Sequence, residues 1–216
     1  MDIMTKGEGY LDFTPDIIKL YFDFRIRAKE YNMAVENGVK TVESFVKLLQ
    51  SLGFKKEDFK THSFRVYEET KYDSTRKKDV SLGFAYNQNS NLKFDYDTSK
   101  LAQLMTAISK FKDSPRTEIR FELKNPDGAK SQCIDLAYKN AKSKAQAIAK
   151  SAGKKLKECV KISYEPFEAS VQSKSDFGGL SKTGINGLQL DNAIENVLVP
   201  EDIEISEELY CLFIAE

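Results

Sequence analysis

Histidine is almost absent from this sequence. His62 is the single one in 216 residues, so a histidine-based metal site or a serine–histidine–aspartate triad would have to rest on it alone. It sits in Thr61-His62-Ser63 with no acid within three positions along the chain, which reads as a structural histidine on a strand. Cysteine is scarce too. Cys133, Cys159 and Cys211 are odd in number and widely spaced, which argues against a disulfide framework or a zinc site and fits a reducing compartment. Cys133, beside a helical apolar stripe, and Cys211, in an apolar strand, read as small core residues.

Net charge is absent. The 33 basic and 33 acidic residues cancel, which excludes a global attraction to nucleic acid or anionic membrane. The local balance is uneven: residues 126–158 hold eight lysines against three acids, whereas residues 186–216 hold eight acids and no lysine or arginine. The two stretches are expected to offset each other within one fold. No segment approaches the roughly 20 apolar residues of a membrane span, and residues 1–10 lack a basic stretch followed by an apolar run. As written, the chain is expected to be cytoplasmic. Had a leader peptide been removed, the same sequence would belong to an exported or envelope-associated protein.

Phosphate and catalytic motifs are missing as well. The run from Gly178 to Gly184 contains Lys182-Thr183 but no glycine directly before the lysine, so it is no phosphate loop. Acidic pairs such as Glu68-Glu69 and Glu207-Glu208 project to opposite sides of a strand and make poor catalytic partners. Tyr21, Arg25 and Arg27 share the wet face of a strand that could stack bases, but Asp23 lies among them and a solvated sheet face is the better reading. No cofactor and no nucleic acid are expected.

What is present is a long helix with clear ends. Asn125 can cap it, Pro126 fits its first position, Asp127 suits the positive end of its dipole, and Gly153 lies just past its last turn. Ile134, Tyr138, Ala141, Ala145, Ile148 and Ala152 form an apolar stripe opposite Lys139, Lys142, Lys144 and Lys150. Half of the stripe is alanine, so a sheet beneath can approach closely.

Ahead of it, Ile3 to Leu11 reads as a strand in which Gly7 and Gly9 mark a bulge or a close backbone approach. Residues 18–29 alternate cleanly between apolar and polar, as in a sheet covered on one side. A helix follows with Val35, Val39, Val42, Phe45, Val46, Leu49 and Leu52 on one face. Strands over Phe59 to Tyr72 and Val80 to Tyr96 come next, the second interrupted by Asn87-Gln88-Asn89-Ser90-Asn91, a polar patch unlike sheet interior. A helix over Thr98 to Phe111 and a strand through Ile119, Phe121 and Leu123 complete a strand–helix–strand, strand–helix–strand order. That is a split βαβ, ferredoxin-like unit. The long helix and two further strands, at Val160 to Tyr164 and Ile203 to Ile214, are read as extending it. The fold class is α+β: one domain over residues 1–216, with an antiparallel or mixed sheet and helices packed on one face.

The segment from Ala169 to Val199 resists this account. It is rich in serine, glycine and asparagine but punctuated by Phe177, Leu180, Ile185 and Leu188. A connection this long is usually functional or disordered. It is either loosely packed chain or an arm that docks on a neighbouring subunit through those four residues.

Taken together, the chain resembles the SIMPL-domain family, named for a signalling molecule associated with a mouse pelle-like kinase. The resemblance is carried by Gly7-Glu8-Gly9, Thr14-Pro15-Asp16, Ala28, Ala34, Leu52-Gly53-Phe54, Asp58, Thr61 and Tyr86. It continues through Ala137, Ala141, Lys144-Ala145, Ile148-Ala149, Gly153, Leu156 and Val160 to Pro200, Ile203 and Ile205. It implies an α+β domain of broad bacterial distribution, often exported, whose members include periplasmic antigens, ring- or channel-forming oligomers and a kinase-pathway adaptor. It implies no enzymatic activity, cofactor or catalytic residues. The expectation is a non-enzymatic binding or assembly module, homo-oligomeric, with an unnamed protein partner also possible. The alternative is an enzyme whose pocket is closed by residues 169–199.

Overall fold

The computed structural model describes residues 1–167 and 199–216, and Phe177, Leu180, Ile185 and Leu188 lie outside them. Three helices and seven strands make up the described chain, all strand pairings are antiparallel, and the fold is α+β. Packing divides the chain into two compact units.

The first unit contains residues 1–14, 123–167 and 201–216. Its strands are β1 (Asp2–Phe13), β6 (Leu156–Ser163) and β7 (Ile203–Ala215), ordered β1-β7-β6, and its helix is α3 (Pro126–Ser151). Asn125 caps α3, its side-chain oxygen accepting from the Gly128 amide at 2.9 Å, and Gly153 closes it with φ +69°. β7, apolar on both faces near its end, takes the central place that this pattern predicts. The last two strands do not extend the ferredoxin-like sheet but pair with β1 in a sheet of their own. Which strands share a sheet depends on pairing across some 200 residues, about which local periodicity says nothing.

The buried stripe of α3 also differs from the expected one. Ala129, Cys133, Ala137, Ala141, Ala145 and Ala149 face inward at intervals of four, whereas Ile148 is 43% exposed. The reason is β1. A Cβ on Gly7 would overlap the Ala137 carbonyl oxygen and come within 2.8 Å of the Ala141 Cβ, and one on Gly9 would lie 2.6 Å from the Ala137 amide nitrogen. The two glycines let the strand backbone touch the helix backbone, so the row of smallest side chains is turned toward them. Thr5 completes the seam by donating to the Ala141 carbonyl at 3.0 Å. Ala145, fully buried here, leaves no room for growth. Ala145→Leu should cost roughly 1–3 kcal/mol, while Lys142→Ala on the exposed face should stay within about 0.5 kcal/mol. Urea denaturation of the two variants checks this, and equal effects would put the stripe on the wrong face.

The second unit, within residues 15–122, has the predicted ferredoxin-like connectivity. β2 (Ile17–Ala28), α1 (Tyr31–Ser51), β3 (Phe59–Asp73), β4 (Lys78–Asp95), α2 (Thr98–Ser109) and β5 (Arg116–Glu122) form a sheet ordered β3-β4-β2-β5. Ile18, Leu20, Phe22 and Phe24 of β2 meet Phe45 and Leu49 of α1 and Leu101 and Leu104 of α2 in one core. Phe45 stacks edge-on against both Phe22 and Phe24, with ring centres 5.0 and 5.1 Å apart.

Candidate binding surfaces

The patch Asn87 to Asn91, read as unlike sheet interior, in fact runs through the middle of β4. Gln88 is 7% exposed and Ser90 2%. Register explains how it is tolerated. Tyr86, Gln88, Ser90 and Leu92 pair with Ile26, Phe24, Phe22 and Leu20 of β2 and so share the helix-covered face. On that face the polar groups satisfy one another. The Tyr86 hydroxyl donates to Gln88 Oε1, and Gln88 Nε2 donates to Thr61 Oγ1 and Ser90 Oγ, both at 3.0 Å. Burial pushes the Tyr86 phenol above its ordinary range. The Tyr86 ring lies against the backbone of α1 at Gly38, where a Cβ would come within 2.6 Å of Cδ1.

Beside this ladder a cleft of about 490 Å³ lies between α1 and β3, lined by Val42, Val46, Lys47, Lys56, Thr61 and Gln88 among others. The apolar face predicted for α1 is wider than its seam on the sheet. Ala34, Gly38, Phe45 and Leu49 are buried, Val42 and Val46 are half-buried at the cleft, and Val39 is 41% exposed.

The opposite face of the same sheet, left uncovered by α1 and α2, is a lattice of paired charges. Glu69 takes Arg27 at 2.7 Å and Arg25 at 2.8 Å. Their hydrogen bonds and charge, Arg27's first, hold its carboxyl below the usual range. Asn87 donates to Asp23 at 2.8 Å, Lys19 meets Glu122 at 3.1 Å, and Arg120 meets Glu118 at 2.8 Å while its guanidinium sits 4.7 Å from the centre of the Tyr21 ring. Tyr21, Arg25 and Arg27 do share this face, and both arginines are ion-paired with the one carboxylate of Glu69. The depressed Glu69 has a signed consequence. Its stabilisation is present above the unfolded carboxylate pKa and is lost as pH falls through the lower folded value. In an NMR titration, Arg27→Ala should therefore move the Glu69 midpoint upward, and an unchanged midpoint would remove Arg27 as the cause.

The sequence predicts a structural histidine within a strand at His62. The structure places it at a register shift in β3, between Thr61 and Ser63, where it is exposed and lines an open cleft of about 600 Å³ with Tyr21, Asp23, Asn89 and Arg116. No group of three or more His, Cys, Asp or Glu side chains is placed to hold a metal among the described residues. Cys133 is buried and its thiol donates to the Ile205 carbonyl. Cys211 is buried with its thiol pushed up to about 11, by burial first and by Cys159 second, which makes it a poor nucleophile. In the first unit Lys6 bridges Glu208 at 2.7 Å and Glu8 at 3.0 Å, and those hydrogen bonds raise its pKa.

The β6 strand forms one edge of the three-stranded sheet. Val160 and Ile162 in it, and Tyr164 just past its end, are exposed at 47%, 54% and 62%. No helix among the described residues is long and apolar enough to cross a membrane.

Comparison with curated proteins found no match. The family model SIMPL, described as a protein of unknown function (DUF541), matches residues 3–206. That span takes in β1, both helices of the ferredoxin-like unit, the α3 seam and the start of β7, and the chain belongs to the SIMPL family.

Proposed function

We propose that this chain is a non-catalytic binding and assembly module that associates with copies of itself. One observation carries the reading: an edge strand that presents Val160 and Ile162 to solvent, continued by exposed Tyr164 just past its end. Charge and register shifts blunt part of this edge, where Lys157, Glu158 and Lys161 lie, but N–H and C=O groups left unpaired among the described residues, beside apolar side chains, can template pairing with another strand. A second copy offering the same edge satisfies both the ladder and the apolar surface. The open face of the four-stranded sheet supports the non-catalytic part, since its acids Asp23, Glu69, Glu118 and Glu122 are each held by a basic or amide partner. Phe177, Leu180, Ile185 and Leu188 enter the proposal as an arm that adds to the same contact.

Light scattering on a gel-filtration column tests it. The wild type is expected to run above the 24.5 kDa of one chain. Ile162→Lys should lower that mass, and Phe177→Ser with Leu180→Ser should lower it further with unchanged circular dichroism. A wild type that stays monomeric at high concentration overturns the reading.

A further inference from the structure

The cleft between α1 and β3 has no role in that self-association. Three independent features converge on it. β3 is an edge strand of its sheet, so among the described residues one side of its backbone has no ladder partner. Facing it, α1 carries more apolar surface than its own packing uses, with Val42 and Val46 in the wall and Val39 one turn earlier. On β3, Phe59 and Phe64 pair with Leu92 and Gln88 and therefore sit on the same helix-side face, Phe64 being 56% exposed. A helix running beside an open strand edge is the geometry in which an extended peptide adds a strand and drops alternate side chains into the groove.

Charge and hydrogen bonding choose the peptide. Lys47 and Lys56 both line the cleft, and neither makes an ion pair among the described residues, against a single acid, Glu43. On the floor, Gln88 is committed at both ends: its oxygen accepts from Tyr86, and its nitrogen donates to Thr61 and Ser90. Thr61 Oγ1 accepts from Gln88, which leaves its own hydroxyl hydrogen to donate into the cleft. Two ammonium groups and one hydroxyl donor above aliphatic walls fit a carboxylate flanked by apolar residues.

We propose that this cleft receives an extended peptide of another protein, apolar at alternate positions and carrying an aspartate or glutamate, which lies along β3 as a fifth strand. The inference does not depend on the self-association reading, since it uses a different edge.

The test begins with random octapeptides displayed on phage and selected on the intact wild-type chain. The most enriched sequence is synthesised with a fluorescent label for anisotropy titration. The expected peptides alternate aliphatic residues with an acid. Lys47→Glu combined with Lys56→Glu, both surface changes, should weaken binding by about tenfold or more. Peptide binding should also slow amide hydrogen exchange in β3. No enrichment over uncoated wells overturns the proposal, and so does unchanged affinity in the double variant. A third contrary result is a lower mass for that variant without peptide. The cleft would then be a contact between copies of this chain, whereas the β6 reading fails if the wild type is monomeric or if Ile162→Lys leaves its mass unchanged.

Discussion

Gly7→Ala is expected to destabilise the first unit by about 3 kcal/mol or more, at the upper end of what an added methyl costs in a packed interior. The methyl would overlap the Ala137 carbonyl oxygen and crowd the Ala141 amide nitrogen at 2.8 Å. Both are backbone atoms of a capped helix, so neither can yield as a flexible side chain would. Relief requires β1 to lift away from α3, which would also open the Thr5 to Ala141 hydrogen bond. For a chain of this size the loss corresponds to a fall in melting temperature of roughly 6–12 °C. Ala substitution at exposed Glu8, between the two glycines, should move it far less. Calorimetry of the two variants decides the matter: similar melting temperatures would mean that strand and helix are not in backbone contact.

Gln88→Leu is expected to cost about 2–3 kcal/mol, although leucine is close in size and more apolar. The substitution strands the hydroxyl of Tyr86, a buried residue, and removes the donor to Ser90 and Thr61. A buried group left without a partner costs more than the hydrogen bond itself contributed. The companion Tyr86→Phe removes the stranded hydroxyl, so adding it to Gln88→Leu should recover part of the loss. Denaturant melts of both single variants and the double close the cycle. Strict additivity would mean that the two side chains do not act as a unit.

Local rules made the long helix legible. Asn125, Pro126 and Gly153 each obey a preference set by the residues beside them, and the structure uses all three as expected. The ferredoxin-like order was legible for a related reason, since alternation in β2 and the turns around it are short-range. What escaped were decisions made across long separations. The helix face was chosen by Gly7 and Gly9, more than a hundred residues away from the alanines that meet them. The polar stretch of β4 could be buried because Thr61 and Tyr86 supply its partners, a matching that composition does not reveal. The same holds for the candidate sites. Val39, Val42 and Val46 were visible as apolar, but only packing shows that part of that face is left over beside an open strand edge. Val160 and Ile162 read as the apolar face of a strand, and alternation alone does not say whether that face is covered. The four arm residues were singled out on composition and lie outside the described residues.

The central claim is that β6 pairs with β6 of another copy. Its most direct test mixes chains labelled with carbon-13 on valine and isoleucine methyls with chains carrying only nitrogen-15, and records filtered nuclear Overhauser contacts between the two populations. Cross-peaks from the Val160 and Ile162 methyls of one copy to β6 amides of the other are the predicted result. A mixed sample with no such cross-peaks, at concentrations where gel filtration shows an oligomer, would contradict it.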